Sequence, residues 1–166
     1  MTVLKTERLI LRPFEVGDVD ELFAVFSNAE AMTFWSTPPH ADRDQTAKLV
    51  HETMAADPET SAEFVMEFEG RVVGKAGFWN LPEIGYILHP DYWRRGFGRE
   101  ALQAVIAYGF EERKLARIIA DVDPDNAGSI ALLTKLGFAE TGRKKNTMEI
   151  GGTWFDSVYF ELLPPE

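Results

Sequence analysis

Between Trp93 and Glu100 the chain reads Trp-Arg-Arg-Gly-Phe-Gly-Arg-Glu, and this stretch stands between a strand-like run and a helical one. Ile84 to His89 precedes it as a largely apolar run that ends at His89-Pro90. Ala101, Leu102, Val105, Ile106 and Phe110 follow at helical spacing, and Ile118 to Val122 then reads as another strand. Strand, glycine loop, helix and strand in that order form a βαβ unit, whose strands lie parallel and whose crossover is right-handed in nearly all cases. A chain with this unit is committed to a sheet containing a parallel pair with a helix across it.

The flanking segments add hairpins. Thr6 to Phe14 alternates around Leu9, Ile10, Leu11 and Arg12 and reads as a strand. Asp18 followed by Glu21 is a variant capping box ahead of a helix with Leu22, Phe23, Val25 and Phe26 on its apolar face. Asp42 opens a second helix that carries Ala47, Val50 and Met54 inward. Glu63 to Glu69 alternates strictly, with Phe64, Met66 and Phe68 on one face, and Glu69-Gly70 turns the chain into Val72 to Trp79. After Asp123-Pro124 a short helix around Ile130 to Leu136 is stopped by Gly137. Thr147 to Ile150 and Trp154 to Leu162 flank Gly151-Gly152 as a closing hairpin. The predicted class is α+β, or mixed α/β. Thr37-Pro38-Pro39 and Asp57-Pro58 are loop punctuation, so residues 1–166 are expected to form one domain.

Composition removes several kinds of chemistry. The chain has no cysteine, which excludes disulfides, thiolate catalysis and Cys-ligated metals. His40, His51 and His89 lack ligand spacing, so no metal is expected. A net charge of -10 disfavours nucleic acid and anionic lipid as partners. It suits a cationic partner and equally suits plain solubility. No run nears membrane-spanning length, and Met1-Thr2-Val3-Leu4-Lys5 does not resemble a signal peptide, so a cytoplasmic location is expected.

Against that acidic balance, Arg94, Arg95 and Arg99 crowd around Gly96 and Gly98. Glycines just before a helix expose main-chain N–H groups at the positive end of its dipole, which stabilises an anionic oxygen. The spacing fits neither Gly-x-Gly-x-x-Gly nor a nucleotide P-loop. Taken alone, the loop reads equally as a helix start with solvated arginines.

With these residues in view, the sequence resembles the GNAT superfamily of N-acetyltransferases, in particular the branch containing RimJ and RimL. The likeness rests on Thr6-Glu7-Arg8-Leu9-Ile10-Leu11-Arg12-Pro13, on Glu83-Ile84-Gly85-Tyr86, and on Trp93 to Gly98 in the place of the pyrophosphate loop. It extends to Asn126, Ser129, Leu132, Lys135, Gly137 and Phe138. Trp93 departs from the Gln or Arg usual at its position. The resemblance implies a twisted, mostly antiparallel sheet of about seven strands, with the fourth and fifth splayed apart, and about four helices. It implies acetyl-CoA as co-substrate and an amine as acceptor, either a protein N-terminus or a small molecule, and it is compatible with a homodimer. Pantetheine would bond the strand edge at Ile87 and Leu88 and the side chain of Asn126. Main-chain groups from Arg95 through Gly96, Phe97, Gly98 and Arg99 to Glu100 would hold the pyrophosphate, with Arg94, Arg95 and Arg99 reaching the adenosine phosphates.

Acetyl transfer asks for a proton acceptor, a polarised carbonyl and a tolerated thiolate. Glu83 is the first candidate base, and it reads equally as a solvent-facing carboxylate at a strand start; Glu149 is the second. The polarising donor is assigned to a backbone N–H near Leu88. Ser129 is the candidate donor to the thiolate, with helix capping shared with Asn126 as its alternative role. Tyr86 and Tyr159 read as packing residues that could donate protons. Phe34, Trp35 and Trp79 are the candidate acceptor-pocket aromatics, or else core. A non-catalytic CoA-binding sensor is the competing reading.

Overall fold

A computed structural model describes residues 1–166. The elements in chain order are β1 (Leu4–Lys5), β2 (Leu9–Arg12), α1 (Val19–Phe26), α2 (Arg43–Ala55), β3 (Ala62–Phe68), β4 (Arg71–Asn80), β5 (Glu83–Leu88), α3 (Phe97–Glu111), β6 (Ile118–Val122), α4 (Ala127–Lys135), β7 (Ala139–Ile150) and β8 (Thr153–Leu162). The strands form one sheet in the order β1-β2-β3-β4-β5-β6-β8-β7. All neighbours are antiparallel except β5 and β6, the pair joined by the α3 crossover. The splayed pair is β5 and β6 here because the two-residue β1 opens the count.

Helices cover both sides of the sheet, and the strands divide their side chains accordingly. Phe64 and Met66 of β3 enter the core under α3, while Val65 between them enters the core under α1 and α2. All three are buried, so β3 has no wet face at its centre. In β5, Ile84 and Leu88 pack toward α3 and Ile87 toward α1 and α2. Alternation then puts Glu83 and Gly85 on the α1/α2 side. Ile118 and Ala120 of β6 join the α3 core, so Asp121 shares a face with Glu83.

The structure corrects several sequence expectations. The strand expected from Thr6 to Phe14 is shortened to Leu9–Arg12, because Thr6 N–H bonds Leu9 O at 2.9 Å in a turn that folds Leu4–Lys5 back on β2. The capping box begins at Glu15, with Asp18 as its reciprocal carboxylate. Met54 is exposed, and Thr46 joins Val50 as the buried positions of α2. Asp42 does cap α2, accepting from Gln45 N–H at 3.1 Å. β7 begins at Ala139, eight residues before the strand predicted from Thr147, because its first half is polar and exposed.

Gly109 lets α3 lie close on β4. A Cβ there would stand 2.8 Å from Phe78 Cζ and 3.2 Å from Ile118 Cδ1. Gly109→Ala gains up to about 1 kcal/mol of helix propensity, yet overpacking costs about 1–3 kcal/mol. Thermal melts are expected to show a net loss of stability, and a smaller one in a Phe78→Leu background; a stabilised Gly109→Ala protein contradicts this packing.

Candidate active site

The parallel pair meets at one end only. Glu83 is level with Ile119, and Ile119 N–H bonds Pro82 O at 3.1 Å. Beyond that point β5 and β6 exchange no further register pair, so a gap opens toward Leu88 and Val122. The direction of the β5 main chain follows from the next bond along, His89 N–H to Val73 O at 2.9 Å. Bonded pairs alternate in an antiparallel ladder, so Ile87 turns its N–H and C=O to Lys75 of β4, its register partner. Leu88 and Tyr86 turn theirs into the gap. The pantetheine pairing expected at Ile87 is thereby corrected: Ile87 is turned to β4, and of the two positions expected only Leu88 presents its main chain to the gap, as Tyr86 also does. The Leu88 carbonyl is already taken by the Trp93 indole N–H at 2.8 Å, which leaves the Leu88 N–H facing the gap.

At the open end stands the first turn of α3. Arg94 and Gly96 have positive φ values of 58° and 82°, which reverse the chain twice before the helix. The first intrahelical bond is Glu100 N–H to Gly96 O at 3.0 Å. The N–H groups of Phe97, Gly98 and Arg99 therefore precede the helical ladder and point outward. The Glu100 N–H is spent within the helix and its carboxylate within an ion pair, so Glu100 contributes no donor. Phe97 is buried, so only its main chain is available to a ligand. Arg94 and Arg99 are exposed. The Arg95 guanidinium lies over Phe97 at 5.0 Å and over Phe68 at 5.4 Å.

A residue that sequence reasoning missed fixes this loop. Arg8 donates from Nη1 to Arg95 O at 2.8 Å and from Nε to Glu100 at 2.8 Å, with its guanidinium 4.1 Å over the Phe97 ring. Glu100 also accepts from the Arg8 N–H at 2.9 Å and from the Thr6 hydroxyl. Burial raises the Glu100 pKa, but these hydrogen bonds and the Arg8 charge outweigh it and hold the carboxyl below its ordinary range. The only sequence signal was the presence of Thr6 and Arg8 in the opening motif.

On the α3 side, the Tyr86 hydroxyl and Ser129 Oγ are 3.0 Å apart. Asn126 caps α4 through Oδ1, which accepts from Ser129 N–H at 3.2 Å, so capping falls to Asn126 and the Ser129 hydroxyl is left for Tyr86. Burial pushes the Tyr86 phenol above its ordinary pKa, only partly offset by the Ser129 hydrogen bond. On the α1/α2 side, Glu83 is half-buried and accepts from the Trp79 indole N–H. Burial raises its pKa, the Trp79 bond opposes this, and the charge of Asp121 adds to the rise.

On that same side a cavity of about 60 Å³ is lined by Phe34 and Trp35 from the α1–α2 connection, by Asp121 and Asp123, and by the β7–β8 hairpin. Trp79 is not among its walls; it is exposed at the end of β4, beside Glu83. Glu149 is exposed and alternates with Met148 and Ile150, which do line the cavity, so its side chain faces the other way. Tyr159 is half-buried, level with Asp121 across the β6–β8 pair. A wider depression of about 570 Å³ is lined by Thr6, Gly96, Arg99 and Gln103.

The family profile described as Acetyltransferase (GNAT) domain matches residues 8–139. The chain belongs to this family. It is an acyltransferase of the N-acetyltransferase kind. The Bacillus subtilis protein named Uncharacterized N-acetyltransferase YoaA is 33% identical, covering 98% of this chain and 97% of its own. The Spermidine N(1)-acetyltransferase of Escherichia coli is 27% identical, covering 89% of this chain and 82% of its own. Among solved structures, the GNAT-family acetyltransferase from Bacillus anthracis superposes with a TM-score of 0.87 at 30% identity, over 98% of both chains. RimL in complex with coenzyme A superposes with a TM-score of 0.86 at 19% identity, over 98% of both chains, a likeness of fold.

The Arg8–Glu100 clamp has a measurable pH signature. A depressed carboxylate pKa contributes stability above its unfolded value and loses it as pH falls through the folded one. Glu100→Gln is expected to cost about 1–3 kcal/mol at neutral pH, with the gap to wild type closing in the acid range. Urea melts across pH check this, and a gap that stays constant down to strong acid contradicts it.

Proposed function

We propose that the protein transfers the acetyl group of acetyl-CoA to a primary amine, on a protein N-terminus or a small molecule, by direct attack on the thioester. The observation that carries this reading is the one-ended pairing of β5 and β6. It leaves a gap with outward N–H groups of α3 at its open end and a half-buried carboxylate at its closed end. The residues present suit the coenzyme: the N–H groups of Phe97, Gly98 and Arg99 for the pyrophosphate, exposed Arg94 and Arg99 for further phosphate charge, and the Leu88 N–H for the gap. Acetyl-CoA supplies the electrophilic carbon, whose bond to sulfur breaks as its bond to the amine nitrogen forms.

The remaining work belongs to the chain. An alkylammonium with a pKa near ~10 must lose a proton before it can attack. Glu83, raised above the ordinary carboxylate range, is better matched to take that proton at neutral pH than an exposed glutamate. The Leu88 N–H is aimed where carbonyl charge develops. Tyr86, a phenol protonated at neutral pH and raised further by burial, donates through its bond with Ser129 to the departing sulfur. Sequence reasoning favoured Ser129 for that role and read Tyr86 as a packing residue that could donate; the proposal assigns it to the pair. Relatives named as N-acetyltransferases favour this catalytic reading over a sensor role. The opening Thr6-to-Pro13 motif favours the RimJ/RimL-like branch, and a cytoplasmic site of action fits both the co-substrate and the acidic sequence.

Glu83→Gln keeps an acceptor for Trp79 but cannot take a proton. It is expected to lower kcat about 100- to 10,000-fold without weakening coenzyme A binding. Wild-type activity is expected to rise with pH as Glu83 deprotonates, through a midpoint above the usual carboxylate range, and the variant is expected to lack that limb. Coenzyme A at a hundred times its Kd is expected to add about 2.7 kcal/mol of stability. If calorimetry detects no binding, the assignment is overturned.

A further inference from the structure

Gly74, Gly77, Gly85 and Gly142 lie within strands, where a glycine has no side chain to pack and more freedom to lose on folding than any other residue. For all but one of them the fold supplies a reason. A Cβ at Gly74 would stand 2.1 Å from Ile87 O, and at Gly77, whose φ is 152°, 2.3 Å from Ala62 O. Gly142 sits on the exposed edge strand β7, at a register shift. Gly85 has no such reason. It lies in the middle of β5, inside the sheet, its φ is not positive, and a Cβ built on it would meet no atom within 4 Å. A residue with a side chain would fit this backbone and strengthen the strand.

The empty space has a definite place. Gly85 shares a face of β5 with Glu83 and Ile87. Ile87 is sealed in the α1/α2 core with Val65 and Val72, whereas Gly85, like Glu83, is only half-buried. The helical cover therefore stops between Ile87 and Gly85, and the uncovered position adjoins Glu83. The N–H and C=O of Gly85 turn to Gly77, its register partner on β4, so the position offers a guest room and no hydrogen bond. Along the strand, Gly85 stands between the Glu83 carboxylate and the Leu88 N–H. An amine that gives its proton to the first while attacking a carbonyl held by the second passes over Gly85.

We propose that Gly85 is a specificity-determining residue for the acceptor: the carbon bearing the amine lies against its bare Cα, and the missing side chain sets how bulky the substituents on that carbon can be. This rests on the acetyl-transfer reading and deepens it. A strand glycine often marks a place where a ligand comes close to the main chain. Filling the position would crowd the path between base and thioester, and an acceptor branched at the amine carbon would feel the crowding most. Strand strength is given up here in exchange for access.

The test compares wild type with Gly85→Ala and Gly85→Val in thiol release from acetyl-CoA. The acceptors form two series graded in width at the amine-bearing carbon: butan-1-amine with butan-2-amine, and glycinamide with alaninamide and leucinamide. One methylene of space decides about 10- to 200-fold in a close-fitting pocket, so Gly85→Ala is expected to lower kcat/KM about tenfold for the branched acceptors and less for the unbranched ones. Gly85→Val is expected to lower it further for all. Coenzyme A affinity, read by calorimetry, is expected to match wild type, and the melting temperature to equal or exceed it, since both replacements suit a strand better than glycine does. A Gly85→Val protein with wild-type kcat/KM, or a Gly85→Ala loss equal for narrow and wide acceptors, overturns the assignment. So does a lowered melting temperature or weakened coenzyme A binding, because the glycine then serves packing. In each of these cases acetylation by wild type leaves the transferase reading standing. No thiol release from wild type with any acceptor, despite coenzyme A binding, overturns that reading and this inference together.

Discussion

Strands β5 and β6 share a single register pair, at Glu83 and Ile119, and the position of every candidate group follows from their divergence. A sheet interior cannot leave main-chain donors and acceptors facing nothing, because each unmet polar group costs free energy on the scale of a hydrogen bond. The molecule meets one of these demands itself, when Trp93 caps the Leu88 carbonyl. It leaves the Leu88 N–H and the first N–H groups of α3 for a guest. The gap is thus a place where the ladder is stopped on purpose, with the unmade bonds available for recognition.

The two faces of the sheet then take different tasks. The α3 side carries the largest buried cluster, including Phe78, Leu102, Val105 and Ile118, and ends at the Tyr86–Ser129 hydroxyl pair. The α1/α2 side has a smaller core around Leu22, Phe26, Val50 and Val65, carries Glu83, and leaves a cavity lined by Asp121 and Asp123 beside the β7–β8 hairpin. The hydroxyl pair proposed as proton donor and the Glu83 carboxylate proposed as acceptor therefore lie on opposite faces. Two ligands can enter a two-sided arrangement of this kind without crossing.

Much of this was legible in the sequence, and the losses have physical reasons. The βαβ order and the glycine loop could be read because buried strands and helices impose strong periodicity, as at Ile118 to Val122 and Ala101 to Val105. β1 and the first half of β7 could not, since they are sheet edges whose side chains are largely wet and carry no alternation. Ile87 was misread because register, not composition, decides which way a main chain points. The Arg8 clamp and the Tyr86–Ser129 bond each join residues far apart in the chain, Tyr86 and Ser129 by 43 positions. Local pattern holds no record of such meetings. The acceptor aromatics divided for the same reason: Phe34 and Trp35 reach one cavity, while Trp79 belongs to the carboxylate.

Trp93 stands at the start of the arginine-bearing turn and grips the strand at Leu88. Its indole adds a side-chain tie between the turn and the strand, beside the short helical turn at Pro90–Tyr92 that joins them along the chain. The same residue whose carbonyl the indole holds, Leu88, carries the amide that faces the gap. In the proposed complex, the turn that would anchor the distal end of a long guest and the amide that would meet its reacting end are therefore tied by a single indole.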